Sequence, residues 1–462
     1  MEDFTQKLIT DFSRFLSQHK DKRHANPLMS FAYQIKTSLS GENFDQLIKY
    51  FSRSFYFEKP KEETSITCLN EAIAFHENGE KRFSSIEKKM KELKDNFIHN
   101  WMESFPLLVG GMKFNVEHAE EVWGDFPDSL WFIPELIFYK KKDKNYLLFN
   151  FIYNTADENI IEKLKVRLDL LFNNEIKNNK NKISFIKNLS GNSPKDRKKW
   201  KGLINSALEK VSGQEIQKIV LARRLDIILS EEINFRYVIE KLKGKYPECY
   251  IFIFHSEKSF FFGATPEKLA KLEDGKIELE ALAGSAPRGK SGDEDKALEK
   301  QLLQNKKDLE EHKFVVDYLK NSLSKFSKNI TCSDSVEIKK FDNIQHLLTK
   351  ISAEIENELP VFNILKEIFP SPAVCGVPKE STLNLIKKLE NFNRGLYSGI
   401  IGWTNLSNEG EFVVGIRSAL TFNNKMFSFA GCGIVNNSNP DLEFDEAELK
   451  FRAILSLFDE NK

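Results

Sequence analysis

Two spacings of apolar residues alternate along this chain. Segments with a period near 3.6 predict helices, and alternating or unbroken short apolar runs rich in Phe, Ile and Val predict strands. Lys81 to Phe97 carries the helical spacing. The stretch LWFIPELIFYKKKDKNYLLFNFIYN is two apolar runs about a polar KKDKN, which predicts a β-hairpin. Ahead of it, PLLVGGMKF is a short apolar strand interrupted by Gly110 and Gly111, a sign of a bulge or of close backbone contact.

From Asn173 to Lys199 the composition turns to Asn and Lys, with Gly191 and Pro194, which predicts an exposed connection. It separates a part covering 1–199 from a part covering 200–462, the two expected to intertwine as one domain. Beyond it helical and strand patterns alternate. WKGLINSALEKV is helical, IQKIVLARRLDIIL is a long β-branched strand, and NFRYVIEKLKGKYP is helical again. Several antiparallel strands follow from Cys249 to Gly284. A polar SAPRGKSGDEDK precedes a long helix ending near Leu323. YSGIIGWTNL and GEFVVGIRSALTF each read as a strand, and MFSFAGCGIV leads into a helix opening at Pro440. Strands joined by hairpins, with helices added singly, predict an α+β fold with large antiparallel sheets rather than a doubly wound parallel sheet.

Composition narrows the class. The 462 residues suffice for a large core, and 41% apolar content with 39 Phe describes a globular chain. Lys+Arg and Asp+Glu are both 68, so no net charge draws the protein to nucleic acid or to an anionic membrane. The first residues carry acids and no apolar signal core, and no run approaches the length of a membrane span, so a cytoplasmic protein is expected. Cys68, Cys249, Cys332, Cys375 and Cys432 are scattered without a CxxC pair, which argues against zinc and disulfides.

Several charged residues interrupt apolar patterns. In the helix ending near Leu323, Phe314, Val315, Tyr318 and Leu319 fall within about 80° of Glu311, which centres that carboxylate on the apolar face. Burial there requires a cation, a metal or a proton. In the Pro440 helix, Glu443, Glu446 and Lys450 share one margin of the apolar arc, and Asp445, Glu448 and Arg452 take the solvent side. Helical phase alone leaves a solvated stripe and a metal-facing margin both open. Three inward carboxylates offer oxygen donors suited to Mg²⁺, and no His/Cys cluster offers a softer site. Gly431 and Gly433 leave backbone N–H groups free to approach an anion. Lys218 interrupts an apolar strand, as an edge residue or as a buried amine able to serve as a base. Glu267, after Pro266, is a turn acid or one kept protonated by apolar surroundings. Arg417, Tyr397 and His346 are likewise polar among apolar neighbours, where interior pairing and ligand contact are alternatives.

Nine segments in order carry a resemblance: KIVLAR, FFGATPEKL, ALAGSAPRG, EEHKFVVDYL, IQHLLTKI, FPSPAVCGVPKE, RGLYSGIIGW, VVGIRSAL and AGCGIVNNSNPDLEFDEAELK. Together they resemble the chorismate-utilising enzymes, and LLVGGMKF with Trp123 resembles the N-terminal part of menaquinone-type isochorismate synthases. The resemblance implies antiparallel sheets packed as a sandwich with helices outside. It implies Glu311, Glu446 and Glu443 as the Mg²⁺ site. Tyr397, Arg417 and the backbone at Gly431 and Gly433 would hold a substrate carboxylate, with Lys450, His346 and Ser285 lining the same cavity. Many relatives have Thr at Ser285. Lys218 matches the lysine that activates water, where ammonia-using relatives tend to have Gln. Ala283 stands where aminodeoxychorismate synthases tend to carry a nucleophilic Lys. Glu267 matches the acid that protonates the departing C4 hydroxyl. The implied activity is isochorismate synthase acting on chorismate, for menaquinone or a siderophore, with salicylate synthase as the alternative. No glutaminase subunit is expected, and the chain is expected to be a monomer or homodimer.

Overall fold

A computed structural model describes residues 2–36, 44–45, 47–116, 120–154, 159–172, 184–342, 344–356, 359–422 and 425–458. Among the described residues the strands form one continuous hydrogen-bonded set of 21, almost all antiparallel. The pairing crosses the division near residue 199 repeatedly. Arg53–Lys59 pairs with Tyr250–Ser256, and Leu108–Met112 pairs with Ile400–Thr404. The two parts of the sequence therefore build the same sheet.

Three apolar clusters show how the sheet is layered. One gathers Phe55, Phe57, Phe252, Phe254, Phe261 and Phe429 from one arm of the sheet with Val109, Phe132, Ile401 and Val413 from the other, so the two arms face each other across an aromatic filling. A second packs the helices Glu2–Gln18, Ile160–Phe172, Phe235–Lys245 and Pro440–Leu455 on the outside of one arm. The third packs Arg82–Lys94, Pro194–Ser212, Lys306–Leu323 and Val361–Ile368 on the outside of the other. This is the antiparallel arrangement with outer helices that the alternation of patterns predicts. Among the described residues no helix is long and apolar enough to cross a membrane.

Local expectations fare unevenly. The hairpin is present as Ser129–Lys141 and Lys144–Ile152, and the Gly110–Gly111 strand as Leu108–Met112. A Cβ on Gly110 would meet the Leu130 carbonyl at 2.1 Å, so strand-to-strand approach explains that glycine. The exposed connection is shorter than its composition suggests. Residues 173–183 lie outside the described part, but Ile186–Ser190 is a strand paired with Lys218–Leu229. Ser193 then caps the next helix, its hydroxyl accepting from the Asp196 N–H. The long helix to Leu323 is two helices, Gly292–Gln304 and Lys306–Leu323, divided at Asn305. The Asn305 side chain accepts from the N–H groups of Lys307 and Asp308, a competing local bond that restarts the helix. GEFVVGIRSALTF is also divided, into Gly410–Val414 and Ser418–Phe422. The break falls at Arg417, whose φ of 49° lies in the left-handed region.

Candidate active site

The break at Arg417 opens onto a small cavity of about 70 Å³. Glu267, Ser285, Glu311, His346, Tyr397, Arg417, Gly431, Gly433, Glu446 and Lys450 all line it. These residues span 184 positions of sequence between Glu267 and Lys450, and strand pairing brings them together. Ser285 stands opposite His346 in register, and Gly431 and Gly433 stand opposite Ala222 and Val220 on the strand that begins at Lys218.

Lys218 is fully buried, with its Nζ 3.0 Å from Glu311 Oε1 but out of alignment for a hydrogen bond. Gly433 makes room for this pair. A Cβ there would lie 2.1 Å from Glu311 Oε1 and 3.1 Å from Lys218 Cε. Gly431 does the same for the Tyr397 hydroxyl, which a Cβ would meet at 3.2 Å. Burial raises the proton affinity of Glu311, but Lys218 and Lys307 outweigh it and hold the carboxyl below its ordinary range.

Glu267 behaves oppositely. Its burial pushes the carboxyl up to about 7, against the pull of Lys218, Lys450, Lys339 and Arg417. Thr265 Oγ1 accepts from the Glu267 N–H at 3.3 Å, and the Glu267 carbonyl accepts from Val414 N–H at 3.1 Å, fixing the backbone that carries it.

On another wall Arg417 donates from NH2 to His346 Nε2 at 2.7 Å and lies 5.4 Å from the Phe341 ring centre. A guanidinium has no acceptor, so His346 Nε2 must carry the lone pair and Nδ1 the proton. Nδ1 is 3.1 Å from the Gly284 carbonyl and 3.0 Å from Ser285 Oγ. Burial, then Arg417, push the imidazolium form far out of reach. His346 is thus a neutral brace for Arg417. The guanidinium, buried and without a carboxylate hydrogen-bonded to it among the described contacts, is suited to an anion from outside. Tyr397 stacks on Phe429 at 5.1 Å and 19°, and burial pushes its phenol up to about 12, so it is a neutral donor.

The acids on the two helices are each matched by a lysine. Lys450 Nζ is 2.6 Å from Glu446 Oε1 and donates to the Gly431 carbonyl at 2.9 Å. Lys307 Nζ is 2.6 Å from Glu443 Oε1. Glu443 differs from its expected place at the cavity margin. It is fully buried and does not line the cavity, because it leans back to Lys307 on the facing helix. Glu448, expected on the solvent side, is an anchor: its Oε1 is 2.6 Å from Arg223 NH1. Asp445 is exposed as expected.

Lys307 and Asp308 are site residues that the sequence reading missed. They precede Glu311 by four and three positions, so the same helical phase that singled out Glu311 carries both toward its face. Asp308 is pushed up to about 6 by burial, then by Glu311. Glu443 is pushed up to about 7 by burial, then by Glu446. Four carboxylates thus crowd against three lysines. Among the described residues no three acids, histidines or cysteines stand together in ligating positions, since Glu311, Glu443 and Glu446 each lean to a lysine. The donor chemistry nevertheless fits a hard divalent cation. Every candidate donor is a carboxylate oxygen, and Glu443 Oε2 is buried with no hydrogen-bond partner.

Glu267, a buried proton-holding acid, lines the cavity with Arg417 and Lys450, while Lys218 is not part of the lining and lies buried behind Glu311; together they form a site suited to acid–base chemistry on a small anion. The chain belongs to the chorismate binding enzyme family, whose model matches residues 14–459. It is 28% identical over 455 residues to the isochorismate synthase MenF of Bacillus subtilis (strain 168), covering 96% of this chain and 95% of that one. It is 30% identical over 277 residues to anthranilate synthase component 1 of Saccharolobus solfataricus, covering 59% of this chain and 64% of that one. In structure it is similar to MenF, the menaquinone-specific isochorismate synthase from Escherichia coli, with a TM-score of 0.78 at 20% identity over 97% of this chain and 99% of that one.

Proposed function

We propose that this protein is an isochorismate synthase, interconverting chorismate and isochorismate in the cytoplasm for menaquinone biosynthesis. The observation that carries the reading is Glu267 on the cavity wall, an acid still able to give a proton near neutrality, with the Lys218 amine buried behind Glu311 of the same wall. Near end-to-end similarity to an isochorismate synthase supports it, as does a lysine at 218, where ammonia-using relatives tend to have Gln.

In this reading Lys218 as the free amine takes a proton from water attacking C2 of the ring. Glu267 gives its proton to the hydroxyl leaving C4, and the ring double bonds shift between. The reverse reaction uses the same groups with their proton states exchanged. Arg417, braced by His346, and Tyr397 bind a carboxylate of the substrate, with Lys450 and the Gly431–Gly433 backbone beside it. Ser285 orients His346. Glu311, Glu446 and Glu443 would hold Mg²⁺, with Asp308 beside them. Such an ion supplies positive charge against a substrate carboxylate.

Purified protein incubated with chorismate and Mg²⁺ tests the proposal. Chromatography should show isochorismate approaching an equilibrium mixture, and isochorismate alone should return chorismate. Salicylate and pyruvate appearing without an added lyase would make it a salicylate synthase. Anthranilate formed from ammonia would overturn the assignment of water as the nucleophile.

A further inference from the structure

Glu267 is followed by Lys268, and both lie against strands whose charges the proton-transfer scheme leaves unused. Glu280 on the strand Lys276–Pro287 is 13% exposed in its side chain. Its carboxylate is 2.6 Å from Lys339 Nζ and 3.4 Å from Lys268 Nζ. Lys339, on the strand Glu337–Lys340, also donates to the Pro266 carbonyl at 3.3 Å. Lys268 has a second partner in Glu278, at 3.2 Å. The peptide group before Glu267 and the side chain after it are therefore tied to one carboxylate, and none of the three residues lines the cavity.

We infer that Lys268, Glu280 and Lys339 form a positioning clamp for Glu267, which fixes the backbone on both sides of the acid and sets the charge it feels from behind. The inference rests on the proposed role of Glu267 as the proton donor. Four cations face that carboxyl from four elements: Lys218 from the strand Lys218–Leu229, Lys450 from the Pro440 helix, Arg417 from the strand break, and Lys339. Lys218 and Lys450 are paired to acids of the cavity, and Arg417 faces the cavity, so the fields of these three change when an anion or cation enters. Lys339 is paired outside the cavity, with Glu280. Its field on Glu267 does not depend directly on what enters the cavity and is screened chiefly by that carboxylate. Lys339 and Glu280 therefore act on Glu267 with opposite sign.

The test is the pH dependence of kcat on chorismate for the wild type, Lys339→Met, Lys339→Arg and Glu280→Gln. Lys339→Met removes a cation and should move the basic limb up by about half a pH unit or more. Glu280→Gln unscreens two lysines and should move the limb down by a similar amount. Lys339→Arg should restore the wild-type limb. Limbs that stay fixed, or that move the same way in both variants, overturn the clamp even if both lose activity. If Lys339→Met fails to fold, the sign in Glu280→Gln decides alone: a downward shift supports the inference, and any other result overturns it. Inactive wild-type protein would defeat the isochorismate synthase reading instead. Urea stability measured against pH in the same variants would then still show whether the ionisation of Glu267 moves in opposite directions.

Discussion

Replacing Glu267 with glutamine removes one ionisable group and keeps nearly the same shape. The carboxyl is 6% exposed, so solvent screening is slight, and it holds its proton up to about 7, where an ordinary glutamate ionises at 4.5. A group whose folded value is raised binds more protons in the native chain than in the unfolded one. It favours the fold most fully below pH 4.5, and that advantage is lost as pH rises through about 7. The gap corresponds to about 3 kcal/mol, of which about 2.5 kcal/mol falls between pH 5 and 9. Glutamine has no such dependence. The stability of Glu267→Gln relative to the wild type should therefore improve by about 2.5 kcal/mol from pH 5 to pH 9. All other groups cancel in the comparison, since Lys218, Lys450, Lys339 and Arg417, whose charges act on Glu267, are present in both proteins. Urea titrations followed by tryptophan fluorescence, run on both proteins at matched pH values, measure the difference. The same variant should lose about 10²-fold or more in turnover, the usual size of a general acid's contribution. A stability of Glu267→Gln relative to the wild type that stays constant with pH, or that improves toward acid, would refute the claim that the fold holds this proton.

Three other outcomes follow from the geometry. Lys218→Met should reduce turnover by about 10²- to 10⁴-fold while calorimetry still detects chorismate binding, and wild-type turnover would remove Lys218 as the base. Glu446→Gln should weaken Mg²⁺-dependent chorismate binding strongly. Glu448→Gln should leave binding intact and instead lower the melting temperature, by about 1–3 kcal/mol of lost stability at Arg223; equal binding losses would mean that the helix face is misassigned. Gly433→Ala places a methyl where Glu311 Oε1 now sits, so turnover should fall with far-ultraviolet circular dichroism unchanged, and full activity would show that the Lys218–Glu311 pair moves freely.

Much of this site was legible because helical phase is a local property. Four-residue spacing alone places Glu311 on a buried face and Glu446 with Lys450 on a shared margin, and both placements hold. What phase does not give is the partner across a gap of sequence. Glu443 was grouped with Glu446 as a neighbour on one helix, but its orientation is decided by Lys307, 136 residues earlier. The division of GEFVVGIRSALTF was hidden for a different reason. Its apolar run is continuous, and only the backbone at Arg417 leaves the strand conformation. The strands Ser327–Cys332 and Glu337–Lys340 were missed because they lie outside the apolar core and carry few of the residues that mark a strand.

These failures share a physical cause that bears on function. Three carboxylates in and behind the cavity wall each stand within reach of an ammonium: Glu311 of Lys218, Glu443 of Lys307, Glu446 of Lys450. Buried charges of one sign would otherwise push these helices apart. Lysine is suited to this work, since a flexible stem lets the ammonium leave one partner for another without moving the backbone. Arg417 is treated differently: a planar guanidinium is pinned by a neutral histidine, with no carboxylate hydrogen-bonded to it among the described contacts. In the proposed mechanism the mobile cations thus sit on the acids that would be freed for a metal ion, and the rigid cation faces the anion that would be held. Swapping the two kinds tests this division. Arg417→Lys should raise the KM for chorismate more than it lowers kcat, whereas Lys450→Arg should lower kcat with KM little changed. The reverse pattern would show that the choice of cation carries no such role.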